Sequence, residues 1–144
     1  MQLKHFSGAL LVLTAVLIGL FFSGCATAPP PNVKSNTCQI EKIAWEVAPQ
    51  AEITAFSCAR GQHGGEDSLI FTAGLKNVCQ QPTRFRLTIF LDEMDKAVAY
   101  LVPTSGKPPV LAPGADATVK IPFMKHTVMP GKIQVLVTTV RVDN

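Results

Sequence analysis

Charge is scarce and evenly split in this sequence. Asp, Glu, Lys and Arg make up 16% of its 144 residues, 13 basic against 10 acidic, too even a balance for the concentrated basic face that nucleic acid requires. Histidine is almost as rare. His5 lies in the amino-terminal apolar region, which leaves His63 and His126, and neither stands in a pattern of nucleophile, base and orienting group. Cys79, beside Gln80 and Gln81, has no adjacent cation to stabilise a thiolate. Glycine clusters only at 61–67, without the lysine or helical continuation of a phosphate-cradling loop. No convincing amphipathic helix follows residue 24. Nothing here supports an enzyme.

What is present begins with the one long apolar run. Lys4, the run 9–22 and then Ser23 and Gly24 have the order of charge, apolar core and small residues of a secretory signal. Left in place, the run would be a helix slightly short for a ~30 Å hydrocarbon layer. The residues Phe22-Ser23-Gly24-Cys25 resemble the lipobox of bacterial lipoproteins. That resemblance implies that 1–24 is a removable signal-peptide helix and that Cys25 is lipidated as the first mature residue. Ala26 after the cysteine, rather than aspartate, implies the outer membrane under Gram-negative sorting, with the protein facing the periplasm or the surface. Removing 24 residues from 144 leaves 120, enough for one compact domain and a short tether. Lys4 leaves with the signal, so the mature chain is nearly neutral.

The tether spans 25–37. Pro29, Pro30 and Pro31 favour an extended spacer, which at ~3.1 Å per residue reaches about 35 Å. Cys38, Cys58 and Cys79 remain in a chain bound for an oxidising compartment, where pairing is favoured. If 47–50 is a turn, Cys38 and Cys58 lie equidistant from it and face each other across a hairpin. We therefore expect a Cys38–Cys58 disulfide with Cys79 left over, and Cys58 with Cys79 stays open as the alternative.

From Cys38 to the end, 38–144, the pattern has period two and keeps meeting turn residues. A first pair of strands spans about 38–47 and 51–59, divided at Pro49, followed by a polar loop at 61–67. Leu69, Phe71, Ala73 and Leu75 then share a face, as do Phe85, Leu87, Ile89 and Leu91 with Arg84, Arg86 and Thr88 outward. A tight connection at 92–96 leads to Val98, Tyr100 and Val102. The proline-rich segment 103–113 is expected to cross between layers. Ala117, Val119, Ile121 and Phe123 form the next face. Ile133, Val135 and Val137 begin a last strand whose phase slips at Thr138 and Thr139, so a bulge is expected there. Seven strands at roughly ten-residue spacing predict an all-β fold, a two-layer antiparallel sandwich.

The run Leu75-Lys76-Asn77, the turn with Pro82, the strand ending Leu91-Asp92-Glu93, and Leu111-Ala112-Pro113-Gly114 before 118–123 resemble small immunoglobulin-like modules of bacterial envelope proteins, including the FxLYD type. The resemblance covers 69–142. Leu91 stands where that type has the tyrosine before Asp92. It implies an immunoglobulin-like sandwich and no catalytic residues.

Three side-chain groups are weighed as sites. Met124, His126 and Met129 fall within six residues and offer thioether and imidazole donors suited to copper(I); the plainer reading has the methionines at the rim of the core. His63, Glu66 and Asp67 offer an imidazole and carboxylates, or simply a solvated turn. Arg84 and Arg86 are an exposed pair for an anionic partner such as lipopolysaccharide or an acidic protein patch, or a solvated face. Sheet edges add a surface for a protein partner. The expected role is that of a membrane-anchored envelope lipoprotein with structural or protein-binding work, with a periplasmic copper-binding protein as the alternative.

Overall fold

The computed structural model describes residues 35–91 and 95–142. The expected leader, the expected lipobox with Cys25, most of the expected tether and residues 92–94 lie outside the described residues. Seven strands form: β1 (Lys42–Val47), β2 (Ala51–His63), β3 (Glu66–Asn77), β4 (Arg84–Leu91), β5 (Lys96–Val102), β6 (Asp116–Met124) and β7 (Lys132–Val140). They make two layers, β1-β7-β4-β5 and β2-β3-β6.

The alternating sets face each other as their period requires. Leu69, Phe71, Ala73 and Leu75 of β3, Phe85, Leu87, Ile89 and Leu91 of β4, and Ile133, Val135 and Val137 of β7 are all buried in one core. Each layer alone would leave these side chains wet, and removing them from water at roughly 25 cal/mol per Å² is what holds the layers together. An aromatic row crosses the core. Trp45 meets Phe56 edge-on at 5.0 Å, Phe56 meets Phe71 at 5.8 Å, and Phe71 meets Phe123 at 5.5 Å, so β1, β2, β3 and β6 are linked by ring contacts in the 4.5–7 Å range that aromatic pairs favour.

Four details differ from the sequence expectations. First, β1 and β2 are not a hairpin. The turn after Val47 carries the chain from one layer to the other, and β1 lies parallel to β7 with Lys42 opposite Lys132 and Val47 opposite Val137. The N–H of Ala48 continues that pairing to the Val137 carbonyl at 2.9 Å, so the sandwich is not wholly antiparallel. Second, 61–67 is not a loop: β2 and β3 run on as a hairpin, paired from His63 with Glu66. Gly64 and Gly65, at φ 61° and 84°, close it, since a two-residue hairpin turn of this kind needs positive φ at both positions.

Third, β7 has no bulge at Thr138 and Thr139; it stays in register with β4 from Ile133 opposite Leu91 to Val140 opposite Arg84. Val140 therefore continues the outward set, half-buried beside Arg84. The register shift lies instead in β2, between Ile53 and Ala55. That extra residue changes the phase of the strand, so Phe56 and Cys58 turn inward after Ile53. Fourth, strand pairing begins before Cys38. The Phe56 N–H donates to the Ser35 carbonyl at 2.8 Å, and the Thr37 N–H donates to the Phe56 carbonyl at 3.1 Å, so residues 35–37 of the expected tether line the border of β2.

As the proline-rich composition suggested, 103–113 crosses from β5 in one layer to β6 in the other. Its end is fastened at Asn77, a fully buried polar residue. The Asn77 amide donates to the carbonyls of Gln81 at 2.8 Å and Leu111 at 2.9 Å, and its oxygen accepts the Cys79 N–H at 3.1 Å. One side chain thereby ties the end of β3 to two connections, with both amide hydrogens and the oxygen used.

Candidate functional site

Cys25, the residue on which lipidation would fall, lies outside the described residues. Cys38 and Cys58 are joined in a disulfide with a Cα separation of 4.9 Å. They meet because Cys38 continues the short segment beside β2, two residues beyond the Asn36 and Phe56 bridge, and because the β2 bulge turns Cys58 inward. Among the described residues, Cys79 is the free cysteine. Its sulfur lies 3.2 Å from the Thr83 hydroxyl, 3.2 Å from the Gln81 carbonyl and 3.1 Å from the Asn77 amide oxygen. The Thr83 hydroxyl, and after it the Gln81 main chain, hold the thiol pKa below its ordinary value.

Met124, His126 and Met129 face three different neighbours. Met129 sulfur stands 3.7 Å from Cys58 Sγ and packs against the core. His126 Nδ1 lies 3.4 Å from Lys96 Nζ, and an ammonium there opposes a bound cation. Met124 is exposed and lines a cleft with His63. His63 and Glu66 stand opposite each other across the hairpin, where the Glu66 carboxylate pairs with Lys125 at 3.6 Å, while Asp67 lies opposite Gln62 and accepts from its amide at 3.4 Å. Among the described residues, no three His, Cys, Asp or Glu side chains gather as a metal set.

Arg84 and Arg86 both lie on the outer face of their sheet, yet they differ. Arg86 is exposed, whereas Arg84 is half-buried and its Nε is enclosed without a hydrogen-bond partner. They do not form one equivalent cationic pair.

The feature that sequence reasoning missed is a cleft of about 560 Å³ where β5 approaches β6 across the layers, lined by Val98, Tyr100, Phe123, Met124, His63 and Lys96. Its signal was in the strand that borders it. Val98 and Tyr100 have the inward phase of β5, yet they stay only half-buried, so the core thins on that side. The opposite side is filled by Trp45 against Phe56.

The described residues form an all-β fold of two packed sheets joined by a network of core contacts, with one disulfide among them. Comparison of the chain with protein-family models, with curated proteins and with solved structures found no match.

Proposed function

We propose that this protein is an envelope lipoprotein, tied to a bilayer through acyl chains on Cys25, whose folded domain does structural or protein-binding work. The observation that carries the reading is Phe22-Ser23-Gly24-Cys25 after a charged tip and an apolar run. The disulfide between Cys38 and Cys58 supports it, because such a bond persists in an oxidising compartment and not in the reducing cytosol. Acyl chains contribute about 0.8 kcal/mol per buried CH₂, so two or more hold the domain stably.

The strand neighbours support an immunoglobulin-like reading of the domain. The order β2-β3-β6 matches A-B-E, and β5-β4-β7 matches C′-C-F, with β1 beside β7 where the last strand of that fold would stand. Its parallel direction is a departure. The segments that carry the resemblance to envelope modules, Leu75-Lys76-Asn77 and Leu111, are neighbours in space through the Asn77 amide. In this reading the domain would bind a protein partner through its sheet borders. The test is mass spectrometry of the amino-terminal peptide from the membrane-purified protein. The expected result is a peptide beginning at a diacylated or triacylated Cys25; an intact Met1, or an unmodified Cys25 thiol, overturns the reading.

A further inference from the structure

The two ends of the sandwich differ in charge. At one end lie the connections from β1 to β2, β3 to β4 and β5 to β6, the last two fastened at Asn77. At the other lie those from β2 to β3, β4 to β5 and β6 to β7. In sequence, the first set, 48–50, 78–83 and 103–115, contains no carboxylate and a single charge, Lys107. The second set, 64–65, 92–95 and 125–131, carries Asp92, Glu93, Asp95 and Lys125.

The strand ends sharpen the contrast. Arg84 and Arg86 open β4, Val140 stands opposite Arg84, and Arg141 follows it, so three arginines share the Asn77 end with Lys107. Arg86, Lys107 and Arg141 are exposed, and Arg84 is half-buried. Among the described residues the carboxylates at this end are Glu52 and Asp116, and both stand in register with Lys76 on the other sheet. Glu46 lies at mid-length, opposite Leu136. Exposed apolar side chains do not separate the ends, since Val78 stands at the first and Met124 and Val128 at the second.

The described chain also starts toward this end. Asn36 pairs in parallel with Phe56, so the segment from Ser35 runs with β2 and away from the Asn77 end. Cys25 precedes Ser35 by 10 positions, a reach of at most ~31 Å at ~3.1 Å per residue. About half of that covers the stretch of β2 from Phe56 back to Ala51 at ~3.3 Å per residue. Along the direct path, Cys25 therefore comes within about 15 Å of the Asn77 end.

We propose that the Asn77 end of the sandwich rests on the bilayer that holds Cys25, with Arg86, Lys107 and Arg141 against anionic lipid headgroups and Arg84 behind them. Charge selects this occupant: an anionic leaflet attracts Lys and Arg close to its surface, this end offers cations with few carboxylates, and the tether supplies the leaflet at short range. The contact orients the domain and does not anchor it. The inference rests on the lipoprotein reading and deepens it, because it says which end meets lipid and that the end with Asp95, Glu66 and Asp67 is presented outward to a partner.

The test uses the protein purified from membranes and reconstituted into vesicles of phosphatidylcholine alone, or of phosphatidylcholine and phosphatidylglycerol in equal parts. In a Cys79→Ser background, Gln80→Cys carries a fluorescent label at the Asn77 end and Thr127→Cys carries one at the other; both positions are exposed. Energy transfer to a headgroup acceptor is read from each. The tether alone would give the same difference between labels in both vesicles. The expected result is a larger excess from Gln80→Cys when phosphatidylglycerol is present, lost in ~1 M salt, where the screening length falls to about 3 Å. Each cation near an anionic surface favours contact roughly fivefold, so Arg86→Gln with Lys107→Gln should lower the ratio of contacting to detached domains roughly 25-fold. The proposal is overturned by equal transfer from the two labels, by stronger transfer from Thr127→Cys, or by an excess that ignores phosphatidylglycerol, salt or the double substitution. An acylated Cys25 with any of these outcomes sinks the orientation alone; an unmodified Cys25 in the same preparation sinks the anchor and the orientation with it.

Discussion

Asn77 is the residue on which most local order depends, since a single amide closes two connections in a place water does not reach. Asn77→Leu would strand the Gln81 and Leu111 carbonyls and the Cys79 N–H, and the expected loss is about 2–4 kcal/mol in urea unfolding, at the upper end of ordinary substitutions. An unchanged midpoint would show that water replaces the amide. Next to it, Cys79 carries a depressed thiol pKa, caused first by the Thr83 hydroxyl. The alkylation rate of the folded protein should therefore rise at lower pH than that of the urea-unfolded chain, and Thr83→Val should draw the two profiles together. The sign follows from linkage: a depressed acidic pKa adds stability above the unfolded value and loses it as pH falls through the folded one. Neither role was visible beforehand: the Asn77 bond to Leu111 reaches a residue 34 positions away, and the Cys79 partners, though within four positions, are gathered only by the shape of the turn.

At the scale of the strand, period-two alternation revealed which side chains point inward in β3, β4, β5 and β6, since that depends only on the pleat. It could not reveal neighbours. Alternation is the same whether a strand pairs in parallel or antiparallel and in either sheet, so β1 was placed against β2 by proximity in sequence when its hydrogen bonds go to β7. The bulge was misplaced for a related reason: a phase change is visible in Ile53, Phe56 and Cys58 as well as at Thr138 and Thr139, and only the first is backed by a glycine. A Cβ on Gly74 would lie 2.5 Å from Thr54 Oγ1 and 3.4 Å from the Ala55 nitrogen. Gly74→Ala should thus destabilise the protein by about 1–3 kcal/mol through overpacking at the bulge, measured by thermal or urea unfolding. The disulfide acts on β1 as well. It closes a loop of sequence separation 20 that contains the whole strand, so Cys38→Ala with Cys58→Ala should cost about 3 kcal/mol. Hydrogen exchange should locate the effect: β1 amides should lose protection before those of β3 and β4, and uniform loss would contradict a local clamp.

For the whole molecule, the domain and its address are separable. Cys25→Ser should move the protein from the membrane fraction to the soluble fraction without altering the unfolding midpoint of the domain, as followed by fractionation and circular dichroism; persistence in the membrane would point to another means of attachment. The proposed address rests on the local string Phe22-Ser23-Gly24-Cys25, which needs no folding to be read. The cleft was not legible, because it is formed by β5 and β6, which come from different layers and meet only in the folded structure, a contact that no local pattern records.

The parallel contact of β1 with β7 also sets a timetable. Lys42 and Lys132 are ninety positions apart, so an emerging chain produces one half of that pair long before the other exists. Until the later strand arrives, Trp45 has no finished sheet to join, and closing so wide a loop is slow. Maturation should therefore be limited by the arrival of the last partner, and the waiting intermediate is the form that a folding helper would need to shield.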